Sequence, residues 1–460
     1  MILNFEKYRS RSTLFLIFAI LFYLVFAYLL KRTDFVTLLL LWCSLFLFSY
    51  KIVNLNKDDF IFLGSIGILF RLLFLFATPN LSQDFYRFIW DGRLLIEGFN
   101  PYLTLPASWI AQGNVPIAQA EFLYTGMGAL NASHYTNYPP ISQLCYSIAA
   151  LVANKSILGA TVVLRCIIIM ADIGILYFGK KILNHLKLPT HHIFIYFLNP
   201  FIIIELTGNL HFEAVMIFFL AWAFYLFTKE KWQWAAVVLG LSISVKLVPL
   251  LLLPLFFQYF VPFRMSKTYK VLNIWRLLLF YTITVTVAIL TFIPFISIDF
   301  INNFTSTIAL WFQSFEFNAS FYYIIRWLGY QIVGWNIIGT VGKILPVISI
   351  IGILSLSFLR KNITTPQLIT AMLFAICFYL CLSTTVHPWY LTTPLFLSIF
   401  TIYRFVFVWT LTVVLSYSAY AEINFSENLA LVALEYLLVM GIFIFEIFQN
   451  KKLKGIRFEN

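Results

Sequence analysis

Charge is what this sequence has least of. Only 11% of its residues are Asp, Glu, Lys or Arg, against roughly 25% in a soluble domain. An ordinary water-soluble fold is excluded on that ground. Cysteine is sparse too. Cys43, Cys145, Cys166, Cys377 and Cys381 all lie in apolar stretches, and no CxxC pair occurs. Such spacing implies no disulfide framework and no metal site, so the thiols are expected to act as small buried apolar groups. Low-complexity linkers and a fixed-period repeat are missing as well, and no second soluble domain is expected.

What fills the chain instead is hydrophobic. Apolar residues make up 61% of it, and the mean hydropathy is +0.89. Runs at 13–30 and 35–53 carry almost no charge, and similar runs recur at 60–78, 157–178, 211–228, 277–296, 337–359, 367–386 and 429–448. A membrane helix needs roughly 20 such residues. The pattern predicts an all-α polytopic membrane protein of about 11–13 transmembrane helices. The net charge of +12 sits in short loops between those runs. That is the positive-inside pattern of a membrane protein and not a nucleic-acid footprint. Membrane lipid is therefore the expected surrounding, with no nucleic-acid partner.

Lys7, Arg9 and Arg11 precede the first run and place the N-terminus in the cytoplasm. No small-residue cleavage site follows, so a retained first helix is expected. Two crossings return the chain to Lys51 and Lys57. A third puts residues 82–140 outside. Lys451, Lys452, Lys454 and Arg457 place the C-terminus inside, and counting back sets His387 outside and the basic loop from Arg264 to Arg276 inside. In the middle, Lys180, Lys181, Lys229 and Lys231 read as cytoplasmic, which puts Glu205 and Glu213 outside. The count then needs a partial span over 141–153 and a hairpin over 234–260, broken near Lys246 and Pro249. The rival count makes each a single span and turns Glu205 and His211 inward.

The polar loop 82–140 is the natural seat of chemistry. Asp84, Arg87 and Asp91 recur at i, i+3 and i+7, which is one helix face. Arg93 follows, and Gly98, Asn100 and Pro101 end the helix. The same spacing also suits a solvated amphipathic surface helix. The stretch that follows, 107–130, has mixed character and is able to lie on the membrane surface. At the loop's exit His134, Tyr135 and Tyr138 precede Pro139 and Pro140, which stiffen the return to the membrane.

Ionisable residues inside apolar runs are costly and often functional. Arg71, Arg165, Asp172, Glu205, His211, Glu213 and Lys246 stand in such places. Arg165 and Asp172 share a helix face but are too far apart to touch, so interhelix pairing is the structural alternative. His211 and Glu213 match no known ligand spacing, and no metal ligand is assigned. Lys246 either snorkels or meets an anion. His387 opens an HPWY stretch in which Trp389 and Tyr390 suit an aromatic belt.

Together these residues resemble the C-type integral-membrane glycosyltransferases, in particular their bacterial mannosyltransferase-like branch. The resemblance rests on Asp84, Arg87, Trp90, Asp91, Gly92 and Arg93 followed by Gly98, Asn100, Pro101 and Tyr102. It continues with Asn131, His134, Thr136, Tyr138, Pro139 and Pro140. Further matches are Arg165 with Asp172; Asn199, Pro200, Glu205, Gly208 and His211; Lys246 with Pro249; Phe317, Asn318, Ala319 and Ser320; and the HPWY stretch. These run in family order, with Glu213 standing where the family often has Asp. The resemblance implies helices around a large first external loop, with a catalytic carboxylate early in it; Asp84 matches. It divides the chain into two extra N-terminal helices (1–59), a catalytic membrane module (60–330) and C-terminal helices (331–460).

The implied activity moves a sugar, with mannose favoured, from a polyprenyl-phosphate donor to an acceptor hydroxyl on a glycan, lipid or protein. It would act on the extracytoplasmic face of the cell (inner) membrane. A carboxylate takes the acceptor proton; the departing phosphate needs positive charge and no general acid. Asp84 is the expected base. Arg87, Arg93, Lys246 and His387 are the expected phosphate partners. Asp91, His134, Tyr138, Glu205, His211 and Tyr390 complete the expected substrate-binding set. A divalent cation stays open, since the class includes both kinds. The competing class is a transporter or lipid-linked sugar flippase, supported by the intramembrane Arg165, Asp172 and Lys246.

Overall fold

The computed structural model describes residues 2–262, 267–421 and 425–456, with the side chains of 2–11, 267–272 and 450–456 excepted. Arg264 and Arg457, counted above as cytoplasmic bases, lie outside the described residues. So do the side chains of Lys7, Arg9, Arg11, Lys451, Lys452 and Lys454.

The protein is an all-α, polytopic membrane protein. Among the described residues, six helices are long and apolar enough to cross a membrane: Phe35–Leu55, Ile157–His185, Asn273–Phe295, Ile338–Phe358, Thr365–Leu382 and Leu429–Gln449. A seventh candidate is a bent pair, Pro200–Gly208 and Glu213–Thr228, which meet at 116°. Shorter apolar helices accompany them at Ser12–Tyr28, Phe60–Leu72, Pro140–Ala153, Trp232–Ile243, Val248–Phe260 and Phe405–Tyr420. Several helices start on side chains that accept otherwise orphaned backbone N–H groups. Asp34 accepts from Thr37, Asp59 from Phe62 and Ser156 from Gly159. Large apolar side chains such as Ile61, Leu359 and Leu437 stand more than 70% exposed, as a lipid-facing surface requires. Cys43 and Cys166 are also exposed, against the expectation of burial, while the other three cysteines are buried and all five are free. A thiol is apolar enough to face lipid.

The two N-terminal helices are fastened to the body of the molecule. The Trp42 indole donates to the Leu411 carbonyl (3.1 Å), and the Ser49 hydroxyl to the Leu198 carbonyl (2.7 Å). The interhelix alternative for the buried charges is the one seen. Arg71 Nε meets Asp172 at 2.7 Å, both fully buried. Arg165 donates to the carbonyls of Thr207, Gly208 and Leu75.

The polar loop folds into three helices, Asp84–Ile96, Pro106–Gln112 and Ala120–Ala132. The first packs so closely on Pro140–Ala153 that a methyl group on Gly92 would overlap the Tyr146 carbonyl oxygen. This close approach explains a glycine in mid-helix, where the residue is otherwise unfavourable. Helix Pro140–Ala153 has 14 residues, about 21 Å, and is short of a full span. The 234–260 segment breaks after Ile243, as its Lys and Pro foretold, and resumes as a 3-10 helix at Val248–Phe256.

Candidate active site

Two irregular stretches hold each other and create the site. The Tyr-Pro-Pro exit of the loop starts a helix whose first N–H groups need partners. The break at 244–247 supplies one, as Ile141 N donates to Ser244 O (3.0 Å), and it also accepts the Ser142 hydroxyl at Val245 O (2.8 Å). Lys246 is thereby set beside Tyr138 and within 2.6 Å of Glu213. Of the two fates open to this lysine, it meets an anion. The second carboxylate comes from the far side of the bent pair, so Glu213 reaches the same cluster as the loop.

A cavity of about 460 Å³ opens here, within the usual range for small-molecule sites. Asp84, Arg87, His134, Tyr138, Lys246, His387 and Tyr390 all line it. These are seven of the eleven residues singled out in the sequence, gathered from three distant segments. Asp91, Arg93, Glu205 and His211 stand outside the lining. A smaller cavity of about 180 Å³ adjoins it and shares Tyr138, Lys246 and Tyr390.

The charges of the loop divide sharply in their partners. Arg87 Nε binds Asp91 at 2.8 Å, and its Nη1 donates to the carbonyls of Asn131 (2.9 Å) and His134 (3.0 Å). The second oxygen of Asp91 accepts from Gln143 (3.0 Å), which also donates to Thr136 (3.1 Å). This network ties the start of the loop to its end. Arg93 donates to the carbonyls of Ala118 and Lys155 and to the Gln119 side chain. Its guanidinium thus ties the loop to the turn after helix Pro140–Ala153 and stands outside the cavity lining. Of the two arginines expected to meet a departing phosphate, Arg87 lines the cavity while paired with Asp91, and Arg93 stands outside the lining: a local pattern shows a shared face but not which tertiary partners claim it. Tyr102 joins the same frame by donating to the Tyr138 carbonyl (2.6 Å).

Asp84 differs. It opens helix Asp84–Ile96, is half-buried on the cavity wall, and has no cation within ion-pair distance among the described residues. Burial pushes its carboxyl up to about 6, which Lys246 partly offsets, Glu213 reinforces and the Tyr138 hydroxyl again lowers. A carboxylate of that kind is a capable base near neutral pH. Burial also pushes His134 down to about 4 and His387 down to about 3, with Arg87 and Lys246 acting in the same direction. Both imidazoles are neutral at pH 7. His387 can offer a departing group a hydrogen bond but no charge.

Glu205 and His211 sit behind this wall, at the break of the bent pair. Glu205 lies in a π-helical turn and accepts from the Tyr417 hydroxyl (2.6 Å). Leu210 beside it holds a left-handed backbone (φ +64°), a strained choice for a leucine. His211 stacks on Trp389 (3.7 Å between ring centres), and Trp389 stacks in turn on His387 (4.6 Å). The HPWY stretch therefore serves the site's wall more than an aromatic belt. Among the described residues no group of three or more His, Cys, Asp or Glu stands together as a metal set.

The sequence of the alpha-(1->6)-mannopyranosyltransferase N-terminal domain matches residues 14–261. That is more than half of this protein and includes most of the wall just described. The chain belongs to this family. The matched stretch begins ahead of Phe60, so it takes in the two N-terminal helices. One curated relative is alpha-(1->6)-mannopyranosyltransferase A of Corynebacterium glutamicum. It is 22% identical over 223 residues, which cover 45% of this chain and 41% of the relative. The alignment thus spans less than half of that protein's length. No solved structure matches the chain significantly.

Four lining residues carried no signal in the loop motifs. Trp311 and Phe315 stack on one another (4.4 Å) over the His134 ring edge. Arg32 and Tyr420 come from opposite regions of the chain, with the guanidinium 4.1 Å above the phenol ring. Trp311 sits on an amphipathic helix, Ile298–Gln313, whose alternating polar and aromatic faces were the available clue.

Proposed function

We propose that this protein transfers a mannosyl residue from a polyprenyl-phosphate donor to an acceptor hydroxyl, with Asp84 as the base, on the extracytoplasmic side of the inner membrane. The observation that carries the reading is Asp84 itself: a half-buried carboxylate without a cation partner among the described residues, at a helix start, facing a cavity of substrate size. Family membership supplies the sugar. The cavity lining mixes polar groups with Leu130, Ile308, Phe312 and Phe425, which suits a donor that is a sugar phosphate at one end and a hydrocarbon at the other.

In one displacement the acceptor oxygen bonds to the anomeric carbon as the bond from that carbon to the phosphate oxygen breaks. The electron pair of that bond leaves with the lipid phosphate, and the acceptor proton moves to Asp84. One displacement inverts the anomeric centre. An α-linked product, as in the family's description, then requires a β-linked donor. Arg87, Asp91 and Arg93 serve by holding the loop so that Asp84 is aimed. Tyr138, Tyr390, His134 and Lys246 bind the substrates around it.

The test is transfer from a polyprenyl-phosphate mannose to a mannan acceptor by the purified protein in nanodiscs. Wild type is expected to form product and Asp84→Asn to lose about 100- to 10,000-fold in kcat. Unchanged turnover in the variant would remove Asp84 from the mechanism.

A further inference from the structure

The cavity has three lining cations, and two are already answered. Arg87 is paired with Asp91 and Lys246 with Glu213. The third is Arg32, in the short turn between the first two helices. No carboxylate stands within ion-pair distance of it among the described residues. Its one hydrogen bond among the described residues is a long one, Nη1 to the Leu81 carbonyl at 3.3 Å, and its flat face rests on Tyr420. Tyr420 is within electrostatic reach of both Arg32 and Asp84.

The turn is held firmly where it lies. The Asn80 side chain donates to the carbonyls of Phe26 (2.8 Å) and Leu30 (3.2 Å), and the Tyr28 hydroxyl donates to Leu73 O (2.9 Å). Leu81 and Ser82, which follow Asn80, lead straight into Asp84. The turn and the catalytic helix therefore share one anchor. The sequence adds an independent sign. Counting crossings from Lys7, Arg9 and Arg11 puts Lys31 and Arg32 on the same side as the polar loop, where short loops are normally poor in bases. A base kept against that bias, half-buried, and left without a counter-charge is suited to an anionic ligand.

We propose that Arg32 holds the phosphate of the lipid-linked donor during transfer and of polyprenyl phosphate afterwards. This rests on reading the cavity as a lipid-phosphate glycosyltransferase site. A guanidinium offers a planar, always-charged fork to phosphate oxygens, and the Tyr420 ring fixes the plane of that fork. It assigns a substrate-binding task to the N-terminal helical pair, which is then an integral part of the site.

The experiment measures binding of farnesyl phosphate, and of uncharged farnesol, to the full chain in nanodiscs by calorimetry. Arg32→Ala is expected to weaken farnesyl phosphate about ten- to a hundredfold and to leave farnesol within about twofold. Arg32→Lys is expected to fall between, since it keeps the charge and loses the fork. Equal weakening of both ligands would make Arg32 a packing residue and overturn the proposal, as would unchanged farnesyl phosphate binding. Transfer assays separate this from the reaction itself. Arg32-dependent phosphate binding without any transfer by wild type would leave the Arg32 site standing and remove the transferase reading. Transfer by wild type with an unchanged KM for the lipid donor in Arg32→Ala would do the reverse.

Discussion

Asp84 and Asp91 lie seven residues apart on one short helix, and their surroundings could hardly differ more. Asp91 is fully buried, with Arg87 on one oxygen and Gln143 on the other. Asp84 faces a cavity with no cation within ion-pair reach among the described residues. One carboxylate is consumed in holding the loop shut on itself; the other is left with a raised proton affinity and somewhere to use it. The contrast teaches that a carboxylate's value for catalysis lies in what its neighbours withhold.

Substitutions at the two positions should therefore fail in different ways. The largest effect expected is the loss of kcat in Asp84→Asn already described, with a melting temperature equal to or above wild type at pH 7–8. The sign follows from the raised pKa. Above about 6 the carboxylate is charged in a place that disfavours charge, so removing that charge does not destabilise the fold. A fall in melting temperature would show that Asp84 is structural. Asp91→Asn should do the opposite and lose about 3–5 kcal/mol of stability, because it strands a buried guanidinium. The double change Arg87→Met with Asp91→Leu should recover much of that loss in a thermal melt while leaving activity low. Failure to recover would mean that the hydrogen bonds from Arg87 to Asn131 and His134 matter more than the pair. Gly92→Ala should cost about 1–3 kcal/mol by overpacking against Tyr146; an unchanged melt would show that the two helices can separate without penalty. The smallest effect is in the pH profile. If Asp84, titrating at about 6, is the base, kcat/KM should be level above that pH and fall roughly tenfold per unit well below it. In Asp84→Asn the residual rate should lose this limb.

Much of this was readable from residues alone, and the reason is that it was local. The span-length runs, the loop helix ending at Gly98, the break near Lys246 and the stiff Tyr-Pro-Pro return are each encoded within a few positions. Glu213 and Lys246 were visible as unusual intramembrane charges, although their pairing was not. The division of labour among Asp84, Arg87, Asp91 and Arg93 was out of reach, because it depends on carbonyls of residues 118, 131, 134 and 155 folding back on the helix. Gln143 was silent for the same reason: nothing in its own neighbourhood announces that it bridges Asp91 and Thr136. Arg32 did leave a trace, as a base on the side of the membrane where bases are scarce.

The contact between Arg32 and Tyr420 also has a consequence in time. The two residues are roughly 390 positions apart in the chain. At about 5–20 residues per second, a ribosome needs some 20 seconds or more to make the second after the first has been inserted. The cavity is closed on that side only when synthesis has passed Tyr420. A nascent chain, however many of its helices are already in the bilayer, carries an unfinished cavity, and completion of that cavity waits on the last part of the chain.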